Sequence, residues 1–235
     1  MKRLVLWDVD GTLLRAGEAG RVVFDTAVGR ALARELSPDV LTQVTMSGKT
    51  DPQIAREILA LAEVADDEVD RHLPAVLRHL EEELAAAADR IRETGHVLPG
   101  VEDLLPRLHA DPDVLQSVLT GNLAANAAVK LGAFRLERWF DLDVGAYGSD
   151  HHDRTELVPI ARRKAEEQYG RSFAPEETWV IGDTPRDLEC ARAGDARCLL
   201  VATGRFDFED LSGLDADAVL GDLSDVDGVL ALLAS

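Results

Sequence analysis

The chain is short of several things that would otherwise set its class. It has two cysteines in 235 residues, Cys190 and Cys198. That is too few for a disulfide framework, and their spacing is not that of a metal-binding pair, so both are expected to be small buried residues. No apolar run is long enough to span a bilayer. The start Met1-Lys2-Arg3 is basic, but the apolar stretch behind it is broken by Asp8 before it could act as a secretion signal. A cytoplasmic location is therefore expected. Positive charge is scarce too: 25 Lys and Arg face 44 Asp and Glu, for a net charge of -19. Such a field disfavours nucleic acid and anionic membranes as partners. Only four of the cations are lysines, Lys2, Lys49, Lys130 and Lys164. Any anionic ligand needs a locally reversed field.

What is present is 46% hydrophobic content with 5% aromatic residues, enough for one sizeable core and room for a second small one. The run Leu4-Val5-Leu6-Trp7 has no polar alternation and reads as a strand covered on both faces. Helical spacing then holds to about Glu93. Phe24, Val28, Leu32 and Leu36 form one stripe, and Leu73, Leu77, Leu80, Leu84 and Ile91 a second. Between them Thr50 or Asp51 can cap a helix with Pro52 in its first turn.

From Leu98 the pattern alternates. Helices are expected at Val101–Leu108, Leu123–Leu131, Thr155–Tyr169 and Pro185–Ala193, with strands at Leu115–Leu119, Leu142–Ala146, Thr178–Ile181, Cys198–Val201 and near Ala218–Leu220, then a last helix. The expected fold is α/β, a Rossmann-like parallel sheet with helices on both faces. Residues 1–14 and 95–235 form its core. Residues 15–94 form an inserted all-α cap, with joints near Arg15–Ala19 and Thr94–Pro99.

Ligands bind outside the carboxyl ends of strands in such sheets, so each strand end can be read for chemistry. The first carries Trp7-Asp8-Val9-Asp10-Gly11-Thr12. Residues two apart in an extended chain share a face, so the two carboxylates face one space, and a cation or a shared proton is needed to offset their repulsion. The second carries Thr120-Gly121-Asn122 ahead of a helix, a hydroxyl and free N–H groups suited to an anion. The third carries Gly182-Asp183-Thr184-Pro185-Arg186-Asp187. Asp187 in a first helical turn could equally serve the helix dipole.

Three rivals fail on spacing. A calcium loop needs a longer gap between its acids and Gly11. Ser47-Gly48-Lys49-Thr50 resembles a nucleotide-binding loop, but the earlier glycine position holds Gln43. Adjacent histidines such as His151 and His152 seldom converge on one metal, which favours a solvated loop over a zinc site.

Together the three strand ends resemble the haloacid dehalogenase superfamily, whose signature motifs are D-x-D-G-T, a Thr or Ser after the second strand, a Lys or Arg, and G-D-x-x-x-D. The helical segment is similar to the insertion cap of its phosphoglycolate phosphatase and β-phosphoglucomutase members. An Asp at position 10 matches the phosphatases and phosphomutases of that family. The resemblance implies that Asp8 attacks phosphorus to give an aspartyl-phosphate, and that Asp10 protonates the leaving alcohol and then activates water. It implies Mg²⁺ held by Asp8, the Asp10 carbonyl and Asp183, with Asp187 orienting a bound water. Thr120, Gly121 and Asn122 would bind the phosphoryl group of a small phosphorylated metabolite. A phosphomutase, with the bound sugar as acceptor, is the close alternative. A phosphorylated receiver domain lacks both the inserted helices and the Asp-x-Asp arrangement.

The family usually has a lysine after the third strand, and none stands there. Lys164 lies about 15 Å into the following helix and Lys130 precedes the strand altogether. Arg154 is therefore expected to be the catalytic cation, with no other evident cation in the site. Lys49, the one lysine of the inserted segment, is expected to meet a second anionic group of the substrate.

Overall fold

Strand β1 (Arg3–Trp7) is buried along almost its whole length because its two faces feed two different apolar clusters. Leu4 and Leu6 belong to one, Val5 and Trp7 to the other, the period-two alternation of a strand with helices on both sides. The structure is a computed structural model and describes residues 2–17 and 19–235. Glu18, within the expected Arg15–Ala19 joint, lies outside the described residues.

Behind β1 come a short strand β2 (Leu14–Arg15) and five helices, α1 (Ala19–Leu32), α2 (Pro38–Thr42), α3 (Asp51–Leu61), α4 (Asp66–Ala86) and α5 (Ala88–Thr94). Strand β3 (His96–Val97) then pairs antiparallel with β2, so the helical segment leaves and re-enters the core side by side. The rest alternates: α6 (Val101–His109), β4 (Val114–Thr120), α7 (Ala124–Ala133), β5 (Ala146–Tyr147), α8 (Leu157–Tyr169), β6 (Thr178–Gly182), α9 (Pro185–Ala193), β7 (Arg197–Val201), α10 (Phe208–Ser212), β8 (Ala218–Leu220) and α11 (Val226–Ala234).

The sheet has six parallel strands in the order β5-β4-β1-β6-β7-β8. Trp7 pairs with Val118 on one side and Ile181 on the other. One step further along the chain, Asp8, Leu119 and Gly182 stand level. The three strand ends singled out from the sequence are thus neighbours on one rim.

One expectation changes. The stretch Leu142–Ala146 is not a strand: Leu142–Val144 is a 3-10 turn, and only Ala146–Tyr147 pairs at the sheet edge. The Asp141 carboxylate accepts the Asp143 N–H at 3.1 Å, a local bond that competes with strand pairing. The chain carries two hydrophobic clusters. The larger cluster joins Trp7 and Leu131 of the core to Val28, Ile58, Leu80, Leu84 and Ile91 of the helices between β2 and β3. The smaller lies on the opposite face of the sheet, beneath α8 and α9, and includes Cys190 and Cys198. Among the described residues no helix is long and apolar enough to cross a membrane.

Candidate active site

Asp8 continues the β1 ladder by one bond, its N–H donating to Ile181 O at 2.9 Å. The chain then turns at Gly11, where φ is +89°. A Cβ built there would lie 2.6 Å from Asp183 Oδ2, so only glycine lets the first strand end pack onto the third. Thr12 Oγ1 donates to Asp183 Oδ1 at 3.2 Å and closes the same contact.

Asp8, Asp183 and Asp187 each place a carboxylate oxygen within 4.8 Å of the others, and all three are buried. The counter-charge among them is Arg154, whose Nη2 lies 3.1 Å from Asp8 Oδ1 and also bonds Asp187 Oδ1. Burial lifts the Asp8 carboxyl to about 6; Arg154 opposes this, and Asp187 and Asp10 add to it. Asp183 is pushed up to about 8, again by burial first and then by Asp187 and Asp8. Burial acts against the Arg154 charge, but Asp187 and Asp8 outweigh it and hold the guanidinium protonated. One guanidinium against three buried carboxylates leaves excess negative charge and a set of hard oxygen donors, and this fits a divalent cation of the Mg²⁺ type. Asp187 is already engaged: its other oxygen accepts the Thr184 N–H at 2.9 Å and Oγ1 at 2.7 Å at the start of α9. It serves the helix and the acid cluster at once.

Asp10 is built differently. Its Oδ2 accepts from Lys130 Nζ at 2.5 Å and from Asn122 Nδ2 at 2.9 Å, and Lys130 also donates to Asn122 Oδ1 at 2.6 Å. The expectation that Arg154 stands alone is therefore corrected: Lys130 is a second, buried cation of the site. Burial disfavours its charge, but Asp10 and Asp51 restore it and raise the ammonium above its ordinary value. Linear distance misled. Side chains on a helix tilt toward its N-terminus, so a long lysine two turns into α7 reaches back to the rim where α7 begins. The four-residue spacing of Asn122, Asn126 and Lys130 was the available signal. Lys164 bonds Gly145 O and Asp150 instead, away from the acids.

Thr120, fully buried, accepts from Asn122 Nδ2 at 2.8 Å and from its N–H at 3.3 Å, which leaves the hydroxyl proton for a ligand. Asp8, Asp10, Thr120, Gly121, Asn122, Arg154 and Asp183 line one cavity of about 450 Å³, with Lys49 on its wall. Lys49 is not free there, since its Nζ lies 2.5 Å from Glu57 Oε2. His151 and His152 stack on each other, and the backbone carbonyl of His152 accepts from Thr50 Oγ1 at 2.7 Å.

The acid cluster and the two buried cations thus lie at the carboxyl rim of a parallel sheet, where α/β proteins of this kind bind their ligands. The chain belongs to the haloacid dehalogenase-like hydrolases, whose family profile matches residues 5–192. Its fold is shared with a predicted phosphatase from Clostridium acetobutylicum, at a TM-score of 0.70 and 18% identity over 98% of this chain and 99% of that one. It is shared too with CbbY from Rhodobacter sphaeroides in complex with phosphate, at 0.67 and 21% over 100% of both chains. A predicted phosphoglycolate phosphatase from Haemophilus somnus matches at 0.66 and 18%, over 97% of this chain and 98% of that one. No curated protein matches the sequence.

Proposed function

We propose that the protein is a Mg²⁺-dependent phosphatase of a small phosphomonoester that works through an aspartyl-phosphate on Asp8. The observation that carries this reading is the pairing of two aspartates on one cavity with two different cations: Asp8 with Arg154, Asp10 with Lys130. A nucleophile and an acid–base group need separate electrostatic settings, and these two have them.

In the first half-reaction an Asp8 oxygen bonds phosphorus, the bond to the leaving oxygen breaks, and Asp10 supplies the proton which that oxygen takes up. In the second, water attacks the phosphoryl group while Asp10 takes its proton, which frees phosphate and restores Asp8. Thr120, Gly121 and Asn122 bind the phosphoryl oxygens, and Arg154 stabilises the charge that develops on them. Asp8, Asp183 and the Asp10 carbonyl would hold Mg²⁺, with Asp187 beside them. The ion, when bound, neutralises the repulsion between a carboxylate nucleophile and an anionic substrate. Residues 15–94 act as a cap, and Lys49 at the cavity wall meets a second anionic group of the substrate.

The test is a Mg²⁺-supplemented panel of phosphomonoesters, including phosphoglycolate, sugar phosphates and nucleotides, read by release of inorganic phosphate. Turnover of at least one is expected. Folded protein that releases none with Mg²⁺ present overturns the reading, and a strict need for a bisphosphate activator moves it to phosphomutase.

A further inference from the structure

The start of α3 meets the core through a set of buried polar contacts. Asp51 opens α3, yet its carboxylate points out of that helix and into the start of α7. Oδ2 accepts the Leu123 N–H at 2.8 Å and Asn126 Nδ2 at 3.0 Å. The Leu123 N–H is one of the donors that a helix start leaves without an internal partner, and the end of the helix dipole there favours a carboxylate. The Asp51 N–H donates to Gly121 O at 2.7 Å, and Thr50 Oγ1 to the His152 carbonyl. At Gly121 a Cβ would lie 2.1 Å from Lys49 O, so the two chains meet backbone to backbone. Asp51, Asn122, Asn126 and Lys130 are all buried.

Asn126 and Lys130 are four residues apart on one side of α7, and Asn122 stands in the bend just before its N-cap, Leu123. Asn126 is held by Asp51, and the other two hold the Asp10 carboxylate. We propose that Asp51 is a positioning residue for Asp10, acting through the start of α7: it fixes Leu123, next to Asn122, and Asn126, one turn before Lys130. This rests on the reading of Asp10 as the acid–base group. The inserted helices thereby do more than bound the cavity: their contact with α7 sets the aim of a side chain that none of them touches.

The experiment uses the full chain with Mg²⁺ and two substrates, an alkyl phosphate that needs leaving-group protonation and an aryl phosphate that needs little. Asp51→Ala is expected to lower kcat about 10–100-fold on the alkyl ester and less than about 3-fold on the aryl ester. Asp51→Asn, whose amide oxygen can accept both bonds, is expected to restore most of the alkyl activity. In parallel, hydrogen exchange at the Leu123 amide is expected to speed up in Asp51→Ala and to stay slow in Asp51→Asn. Asn126→Ala leaves α3 intact and should show the same substrate split in weaker form, which covers the case of an Asp51→Ala protein that does not fold. Equal losses on both esters, or an unchanged Leu123 exchange rate, overturn the inference. An unmutated protein inactive on both esters instead removes the phosphatase reading, and the exchange result still judges the contact.

Discussion

Asp8 and Asp10 stand two residues apart, and their surroundings have little in common. The Asp8 side chain is 7% exposed and the Asp10 side chain 42%. Asp8 is enclosed by strand ends and by the starts of the following helices: Asp183 after β6, Asp187 in α9, and Arg154 just ahead of α8. Asp10 opens into the cavity and is held by Lys130 of α7 and by Asn122 just before that helix, whose start bonds Asp51 in turn. The surroundings of Asp8 belong to the sheet rim. Those of Asp10 depend on two parts of the chain meeting. A group that must attack along a fixed line benefits from the first arrangement. A group that must exchange protons with substrate and water needs the openness of the second.

The sharpest break of this comparison is Asp8→Asn against Asp10→Asn. The first is expected to lower kcat by about 10⁴–10⁶-fold on every substrate. The second should cost far less on an aryl than on an alkyl phosphate, so a panel of esters with graded leaving groups separates the two halves. Next in size is Arg154→Ala, with an expected loss of about 10²–10³ in kcat on both ester types, and partial recovery in Arg154→Lys. Near-normal kcat/KM in a folded Arg154→Ala protein at saturating Mg²⁺ would remove its role.

Lys130→Met addresses the other half. A fall of about 10–100-fold in kcat on alkyl esters, with a clearly smaller fall on aryl esters, is the expected result; a uniform loss would count against the two-cation division. Lys49→Ala is smaller still. It should raise KM about 3–10-fold for a substrate with a second anionic group and leave a simple aryl phosphate unchanged. Matching effects on the two would speak against contact with that group.

The smallest effect is thermal. Asp183 at about 8 and Asp8 at about 6 both titrate above their ordinary value of 3.8. From about pH 4 to 8 the folded chain thus binds more protons than the unfolded one, and the metal-free protein loses stability as pH rises. Mg²⁺ competes with those protons and favours the folded state. The gain in Tm on adding Mg²⁺ to chelator-treated protein is expected to grow from pH 5 to pH 8, reaching a few degrees, on the order of 1 kcal/mol. A gain that shrinks over that range would mean the acid cluster is not where the ion binds.

Most of the sheet was readable from its residues, because strands buried on both faces are continuous apolar runs with sharp ends: Thr178–Gly182 and Arg197–Val201 lie within a residue of expectation. The edge strand β5 was not, since Asp141 bonds the backbone two residues on and only Ala146–Tyr147 pairs. Asp8 and Asp183 were readable because each follows a strand directly, and Arg154 because the family resemblance calls for a cation there and no lysine stands in that loop. Lys130 and Asp51 were not. One lies two turns down a helix, and the other sits in a segment whose docking onto α7 has no local signature. Both look like ordinary helix residues until that docking is seen.

The larger apolar cluster has a consequence for how the chain comes apart. It runs from Trp7 and Val9 through Leu131 to Leu84 and Ile91 as one apolar cluster. The helices between β2 and β3 bury part of their apolar surface against the sheet's own covering helix, so cut out alone they would return that surface to water. Nor can the sheet keep that face dry without them. The two parts share one apolar cluster, and melting either exposes the other's side of it, so heat or denaturant is expected to meet a single cooperative unit.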